Sequence, residues 1–481
     1  MKKTLYSAAV ALLGIAIAAF SAIPCSADAV PYTNYTYSQE SGSITAGPQA
    51  YLPERVIYAK DLGLTDLSAA SDLFYDECGL LYVLDTGNNR ILVLNGDLTL
   101  KKVFTVSDDG YTLDGAKGIF ADEEKIYVAD SKNGRIIVMD RESGKFIRFL
   151  NSPKSDVLGK DFIFKPIRLA VDGDGLIYAV SEGTYEGIIN LDAEGNFLCF
   201  FGSNTVVTSP WDLFWRKFST KEQRKNMIQL IPQDFSSIDI DSDGFFLATC
   251  YTEQNNSMVK RLNPGGSDII RNMGKTGIVG DPYRVWKGTL DGNSSFVDIA
   301  SGPDNIYACL DYTRGKIFCY NNDGYLLYSF GTLSDQVGGF SAPVALTYLD
   351  RDRIAVLDTE NASITVFAPT QYAGTVNSAV HYGKMLDYEN ALEAWQRVLT
   401  MNSNYDLAHN AIGRIYYNQQ HYDKAAKEFR AASNKIMYSK AAKELRSQHI
   451  YDNIYYFLGA ILLLAVLITA FLIFRKGKRH K

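Results

Sequence analysis

The chain has 481 residues, of which 47% are hydrophobic and 21% are charged, and its formal net charge is −6. This length leaves room for more than one domain with a large buried core. The two ends of the chain are net positive, so the part between them is more acidic than the whole. That balance argues against a nucleic-acid partner, because such binding needs a basic face that displaces counterions.

Residues 1–29 have the features of a secretion signal. Lys2 and Lys3 precede an apolar run over residues 8–23, and residues 27–29 form a small-x-small cleavage site. Cys25 invites a lipoprotein interpretation, but Pro24 stands where a small residue is expected. We therefore expect an exported chain that begins after residue 29.

One phrase recurs through the middle of the chain. Residues 81–91 read LYVLDTGNNRI, and residues 126–136 read IYVADSKNGRI, 45 positions later. Weaker copies surround Tyr178, Leu247, Asp311 and Asp358. A period of this size marks a modular array. Short β-branched and aromatic runs between Gly, Asn and Asp clusters predict four antiparallel strands per unit, which is one blade of a β-propeller.

Six units follow when the repeats are aligned on the aspartate of this phrase. The aligned positions are Asp85, Asp130, Ser181, Cys250, Asp311 and Asp358. We therefore predict an all-β six-bladed propeller over residues 44–370. Residues 51–58 are expected to add a strand to the last blade, which would hide an exposed sheet edge.

This pattern resembles the NHL-repeat family of six-bladed β-propellers, most clearly in the first two units. The resemblance implies a binding platform more often than a catalyst, and bacterial members are often extracellular sensor or adaptor domains. Related six-bladed folds include lactonases and other metal-dependent hydrolases.

The largest insertion, residues 209–232, has a helical pattern. Ser209 and Pro210 suit a helix start. Trp211, Phe214, Trp215 and Phe218 then fall on one helix face. Either this aromatic face packs against the propeller wall, or it is a lid or partner-docking surface beside the central channel.

Five cysteines follow the leader, without CxxC or Cys/His spacing, which argues against a zinc site. Cys309 and Cys319 flank a predicted hairpin. They could face each other across it and form a disulfide, but we expect two small buried side chains instead.

The inner strand of each blade supplies the candidate ligand-binding residues of the central channel. Equivalent positions are Asp72, Gly118, Arg168, Ser237, Asp298 and Ala345. Asp72, Arg168, Ser237 and Asp298 are expected to converge and could bind a small polar ligand or a cation. Hydration and hydrogen bonds between blades would explain them equally well.

We assign no catalytic residue, cofactor or metal from the sequence. All five histidines lie after the propeller, so it has no histidine to act as general base. Two aspartates alone do not complete the oxygen ligand set that a hard cation takes. No P-loop, GxGxxG, GxSxG or HExxH context appears.

A helical period follows over residues 376–448. Ala379, Tyr382, Tyr388, Ala391 and Trp395 match Gly413, Tyr416, Tyr422, Ala425 and Phe429, each 34 residues later. This resembles two tetratricopeptide repeats, although the usual terminal proline is missing. A third helix is expected over residues 439–448. The unit is either a spacer or a concave partner-binding groove with Tyr382, Trp395 and Tyr416 as contacts.

Residues 454–474 are an uncharged run, long enough to cross about 30 Å of hydrocarbon as a helix. The basic tail, residues 475–481, is expected to stay in the cytoplasm, which places the preceding domains outside. We thus predict a single-pass, membrane-anchored extracytoplasmic binding or scaffold protein for a protein or carbohydrate ligand, with membership of an envelope transport or assembly complex as a further hypothesis. The alternative is a surface lactonase or hydrolase of the gluconolactonase type with a metal in the channel.

Overall fold

The computed structural model describes residues 30–38, 42–106, 110–159, 161–202, 234–250, 257–271, 277–281, 284–286, 289–291, 294–350 and 352–479. The predicted leader and the predicted helical insertion, with Trp211, Phe214 and Trp215, lie outside these residues.

The described chain forms a six-bladed β-propeller, as predicted. It starts with a hairpin of β1 (Asn34–Tyr37) and β2 (Ile44–Gly47), followed by β3 (Tyr51–Tyr58). Blade one is β4 (Ala70–Tyr75), β5 (Leu81–Asp85), β6 (Arg90–Leu94) and β7 (Leu100–Thr105). Blade two is β8 (Gly118–Ala121), β9 (Lys125–Asp130), β10 (Arg135–Asp140) and β11 (Phe146–Asn151). Blade three is β12 (Pro166–Val171), β13 (Ile177–Ser181), β14 (Ile188–Leu191) and β15 (Phe197–Phe201).

Blade four has three described strands, namely β16 (Phe235–Ile240), β17 (Phe246–Cys250) and β18 (Val259–Leu262). A short hairpin of β19 (Arg284–Trp286) and β20 (Thr289–Asp291) follows. Blade five is β21 (Phe296–Ser301), β22 (Tyr307–Asp311), β23 (Lys316–Tyr320) and β24 (Leu326–Phe330). Blade six is β25 (Pro343–Leu349), β26 (Arg353–Asp358) and β27 (Ser363–Pro369), completed by β3.

The ring closes by the strand predicted from the sequence. β3 pairs antiparallel with β27, in a register that runs from Ser363 opposite Tyr58 to Pro369 opposite Tyr51. An early strand thus completes the last blade and leaves no gap between the ends of the array.

The recurring phrase encodes a buried hydrogen-bond cap. In blade one, Asp85 accepts hydrogen bonds from the backbone N–H of Ser68 at 2.8 Å, from Asn88 Nδ2 at 2.8 Å and from Arg90 Nε at 2.6 Å. Asp130 does the same in blade two. In blade three, the Ser181 hydroxyl accepts from a backbone N–H instead. The repeat that reveals the fold is therefore structural and is separate from the central site.

Cys309 and Cys319 do not form the disulfide, and the alternative of two small buried side chains is confirmed. In the hairpin, Cys309 lies opposite Phe318, and Cys319 lies opposite Ala308. The two cysteines are therefore offset by one residue, which sends their side chains to opposite faces of the sheet. Both are free, fully buried thiols in different hydrophobic clusters, so they act as small core residues.

Six helices follow the propeller in the described residues. They are α1 (Gln371–Lys384), α2 (Tyr388–Met401), α3 (Asp406–Asn418), α4 (Tyr422–Ala431), α5 (Lys435–Asp452) and α6 (Ile454–Arg479). Two positions of the 34-residue pattern, Gly413 and Phe429, pack against each other. A Cβ added at Gly413 would lie 2.7 Å from the ring of Phe429, so only a very small residue fits there. Residues 454–472 of α6 are long and apolar enough to cross a membrane.

The first three helices share a hydrophobic core with blades five and six. The Tyr405 hydroxyl donates to the Leu327 carbonyl at 2.9 Å, and the Tyr328 hydroxyl donates to Asn377 Oδ1 at 2.7 Å. Trp395 is only 5% exposed inside this core. The expectation that Trp395 lines an accessible groove is therefore not met, because its side chain is buried and packs beside the ring of Tyr405.

Tyr382 and Tyr416 are half-buried against the same core, so part of each ring faces solvent. The propeller edge occupies the helical surface formed by α1 and α3. Helices α1 to α3 thus share their core with the propeller, whereas α4 and α5 pack around a separate small cluster.

The pair of His409 on α3 and Glu428 on α4 makes the stability of the fold depend on pH. His409 Nδ1 lies 2.7 Å from Glu428 Oε2, and this hydrogen bond raises the pKa of His409. The protonated imidazole stabilises the fold. This contribution is complete below the pKa of histidine in the unfolded chain, about 6.5, and it is lost as the pH rises through the higher pKa of the folded chain. We expect the difference in Tm between the native chain and His409→Gln to shrink from pH 5.5 to pH 9. A constant difference would contradict this.

Candidate ligand-binding site

The four channel residues predicted from the sequence come together at the centre of the ring. Arg168 Nε lies 3.6 Å from Asp72 Oδ1 and 3.4 Å from Asp298 Oδ1. The Ser237 hydroxyl donates to Asp298 Oδ1 at 2.7 Å. One guanidinium group therefore lies between two carboxylates from different blades.

Backbone contacts extend this cluster around the ring. Arg168 Nη2 donates to the Val344 carbonyl at 3.0 Å, and Nη1 donates to the Lys117 carbonyl. Asp72 Oδ2 accepts from the N–H of Ile119 and Asp298 Oδ2 from that of Leu346, both at 2.8 Å. Each carboxylate thus joins its own blade to the next, and Arg168 links blade three to blades one, two, five and six. The cluster therefore holds blades together in addition to lining the candidate ligand-binding site.

Burial controls the ionisation of these groups. It raises the pKa of Asp72 to about 7, although the charge of Arg168 acts in the opposite direction. Burial would lower the pKa of Arg168, but the two carboxylates outweigh it, and that pKa is raised. The guanidinium therefore stays charged while Asp72 titrates near neutral pH.

Asp239 is a site residue that the sequence reasoning missed. It lies two positions after Ser237 on β16, so it points to the same side of the strand. Its Oδ2 accepts from the N–H of Ser301 at 2.6 Å, and burial raises its pKa to about 7. Within the described residues no Lys or Arg forms an ion pair with it. The period-two spacing from Ser237 was the signal that could have found it.

These residues form the deep end of a cavity of about 1020 Å³. Its lining runs from Arg168 out to the turns that join the first and second strands of the blades. Six aromatic residues belong to the lining, of which Phe74, Tyr75 and Phe120 are half-buried and Tyr178, Phe246 and Tyr348 are buried. The rings of Phe74 and Phe120 lie 4.6 Å apart and are half-buried. Carboxylates of Glu77, Glu123 and Asp174 surround the mouth.

The cluster does not resemble a metal centre. Arg168 takes the space between Asp72 and Asp298 where a cation would have to bind. Across the described ranges, no three His, Cys, Asp or Glu side chains are placed to hold a metal ion.

Comparisons with known proteins find distant likeness to solved structures alone. No family model matches the chain, and no curated protein matches it. A streptogramin B lyase structure is 13% identical, covering 67% of this chain and 100% of its own, with a TM-score of 0.40. Virginiamycin B lyase from Staphylococcus aureus is 12% identical, with coverages of 65% and 98% and a TM-score of 0.38. A protein of unknown function from Bacteroides thetaiotaomicron is 12% identical, with coverages of 68% and 80% and a TM-score of 0.42.

Likeness at this level carries no inference about activity. The protein is a six-bladed β-propeller with a helical C-terminal region. Its NHL and tetratricopeptide relationships remain predictions from the sequence.

Proposed function

We propose that the protein is a membrane-anchored, extracytoplasmic binding protein whose propeller cavity takes a carbohydrate. The observation that carries this proposal is the cavity itself, whose lining combines half-buried aromatic rings with the carboxylates of Asp72, Asp239 and Asp298. Carboxylate oxygens accept hydrogen bonds from hydroxyl groups, and aromatic rings offer flat apolar surface to the C–H faces of a sugar. A large concave pocket with a few convergent polar groups is the usual form of a small-ligand site.

The anchor and its orientation rest on sequence features. Residues 454–472 are apolar enough to span a membrane, and basic residues follow them. The leader at residues 1–29 supports export, and the basic tail supports a cytoplasmic C-terminus.

Association with an envelope transport or assembly complex is part of the same proposal. This part of the proposal is supported by the apolar segment, which suits a membrane protein, and by the helical region beside the propeller, which could contact a partner. Trp211, Phe214 and Trp215 remain candidate partner contacts. Purification from native membranes in mild detergent should retain a stoichiometric membrane partner, and its absence would contradict this part.

We do not propose the hydrolase alternative, because Arg168 neutralises the two aspartates that a channel metal would need.

The binding test uses the full chain in detergent with maltohexaose, chitohexaose and spermine as calorimetric probes. We expect at least one hexasaccharide to bind and affinity to fall about tenfold in Phe120→Leu and in Asp239→Asn, the cost of one good contact. Phe120→Leu keeps an apolar side chain while removing the ring. Tyr312→Ala is the matched control, because Tyr312 is 50% exposed on a turn between second and third strands, at the other end of the blade.

Two results would overturn the carbohydrate proposal. One is binding of spermine without either hexasaccharide, since it would show a site for cations. The other is hexasaccharide binding that both cavity variants leave unchanged.

A further inference from the structure

The outer strand of blade three is a sheet edge that no described strand pairs with. β15 has the sequence FLCFF and is hydrogen-bonded to β14 alone in the described sheet. Leu198 is 48% exposed, and Cys199 is also exposed. An outer strand without charge or proline is a ready template for pairing with another chain.

Other outer strands of this propeller carry the residues that prevent such pairing. β7 contains Lys101 and Lys102, β11 contains Arg148, and β3 contains proline and two charged residues at positions 53–55. Charges and proline at a sheet edge oppose the addition of a further strand.

The other uncharged outer strand, β24, is covered by the chain itself. All five of its residues are buried. Asn34 of the first hairpin accepts a hydrogen bond from the Ser329 N–H at 3.0 Å, and Tyr405 donates to the Leu327 carbonyl. The chain therefore covers the uncharged edge of β24. No described strand pairs with the uncharged edge of β15.

We propose that β15 is the contact through which two copies of this chain associate, by antiparallel pairing of their outer strands. A copy suits this edge because every residue that would face another across it is apolar, so no like charges oppose each other. The two-fold arrangement is the common form of a homodimer. A short strand pair buries little surface, so the dimer is weak and forms at high local concentration. The pairing brings the two Cys199 side chains close together.

The test is cross-linking of the purified full chain reconstituted in liposomes with a short bismaleimide. Cys78 is the other exposed cysteine in the described residues and supplies the matched control. We expect a covalent dimer in the native chain and in Cys78→Ser, and none in Cys199→Ser. Leu198→Lys should reduce the dimer about tenfold, because a charge on the outer strand opposes the addition of a further strand. Ile147→Lys, at a site 45% exposed on neighbouring β11, should leave it unchanged.

Opposite results overturn the proposal. They are the absence of dimer although a monomaleimide labels Cys199, a dimer linked through Cys78 alone, or equal yields from Leu198→Lys and the native chain. Circular dichroism of each variant separates lost pairing from lost folding. None of these outcomes depends on the cavity or its ligand.

Discussion

Replacement of Arg168 by methionine is expected to lower the free energy of unfolding by about 3–5 kcal/mol, the usual result of removing one partner from a buried ion pair. The guanidinium is 12% exposed and lies between Asp72 and Asp298, which are 5% and 6% exposed. Methionine would leave two buried carboxylates without a counter-ion and several carbonyl oxygens without a donor. Urea denaturation of the full chain in detergent, followed by circular dichroism, measures the change.

The loss should depend on pH. Asp72 has a pKa of about 7 because it is buried, and removal of Arg168 raises that pKa further. At pH 5 the unpaired Asp72 carboxyl binds a proton and costs less, whereas at pH 8 it must ionise without its counter-ion or stay protonated at the expense of stability. Arg168→Met should therefore be more harmful at pH 8. Asp72→Asn and Asp298→Asn, added to Arg168→Met, should restore part of the loss.

The control for this experiment is a surface ion pair. Lys102 lies 2.8 Å from Glu142, but the two side chains are 37% and 92% exposed. Lys102→Met should cost less than about 1 kcal/mol. If Arg168→Met costs no more than this control, the central cluster does not hold the blades together.

The propeller fold and the residues at the centre of the site could both be predicted from the sequence. Strands, turns and the closing strand follow from local patterns that repeat, and repetition reveals which positions are equivalent. Asp72, Arg168, Ser237 and Asp298 share one position in successive blades, so their convergence follows from the symmetry of the ring. Asp239 was missed because only one position per inner strand was considered.

Features that depend on register or on distant packing could not be predicted. The offset of Cys309 from Cys319 depends on a single residue in the intervening turn. The burial of Trp395 depends on how the helices pack into the core that they share with the propeller, and a 34-residue period contains no information about that packing. The uncovered edge at β15 likewise emerges only when the outer strands are compared in the structure.

Replacement of Trp395 by alanine is expected to destabilise the chain by about 3–5 kcal/mol, the range for loss of a large aromatic side chain from a core. The ring is 5% exposed and lies 6.3 Å from that of Tyr405. Tyr388→Ala is the matched control, since Tyr388 is on the same helix but 39% exposed. We expect it to change stability by about 0.5 kcal/mol or less. Thermal denaturation of the three proteins compares them.

The form of the transition tests whether helices and propeller unfold together. Tyr405 joins Trp395 to the Leu327 carbonyl of blade five, and one hydrophobic cluster contains α1 to α3 together with Tyr51 of the closing strand. Trp395→Ala should therefore lower the Tm of helical and β-sheet signals by the same amount, because the two regions share one core. A helical transition that moves alone would show that the cluster is not cooperative. Unchanged melting with loss of a bound partner would instead restore the groove interpretation.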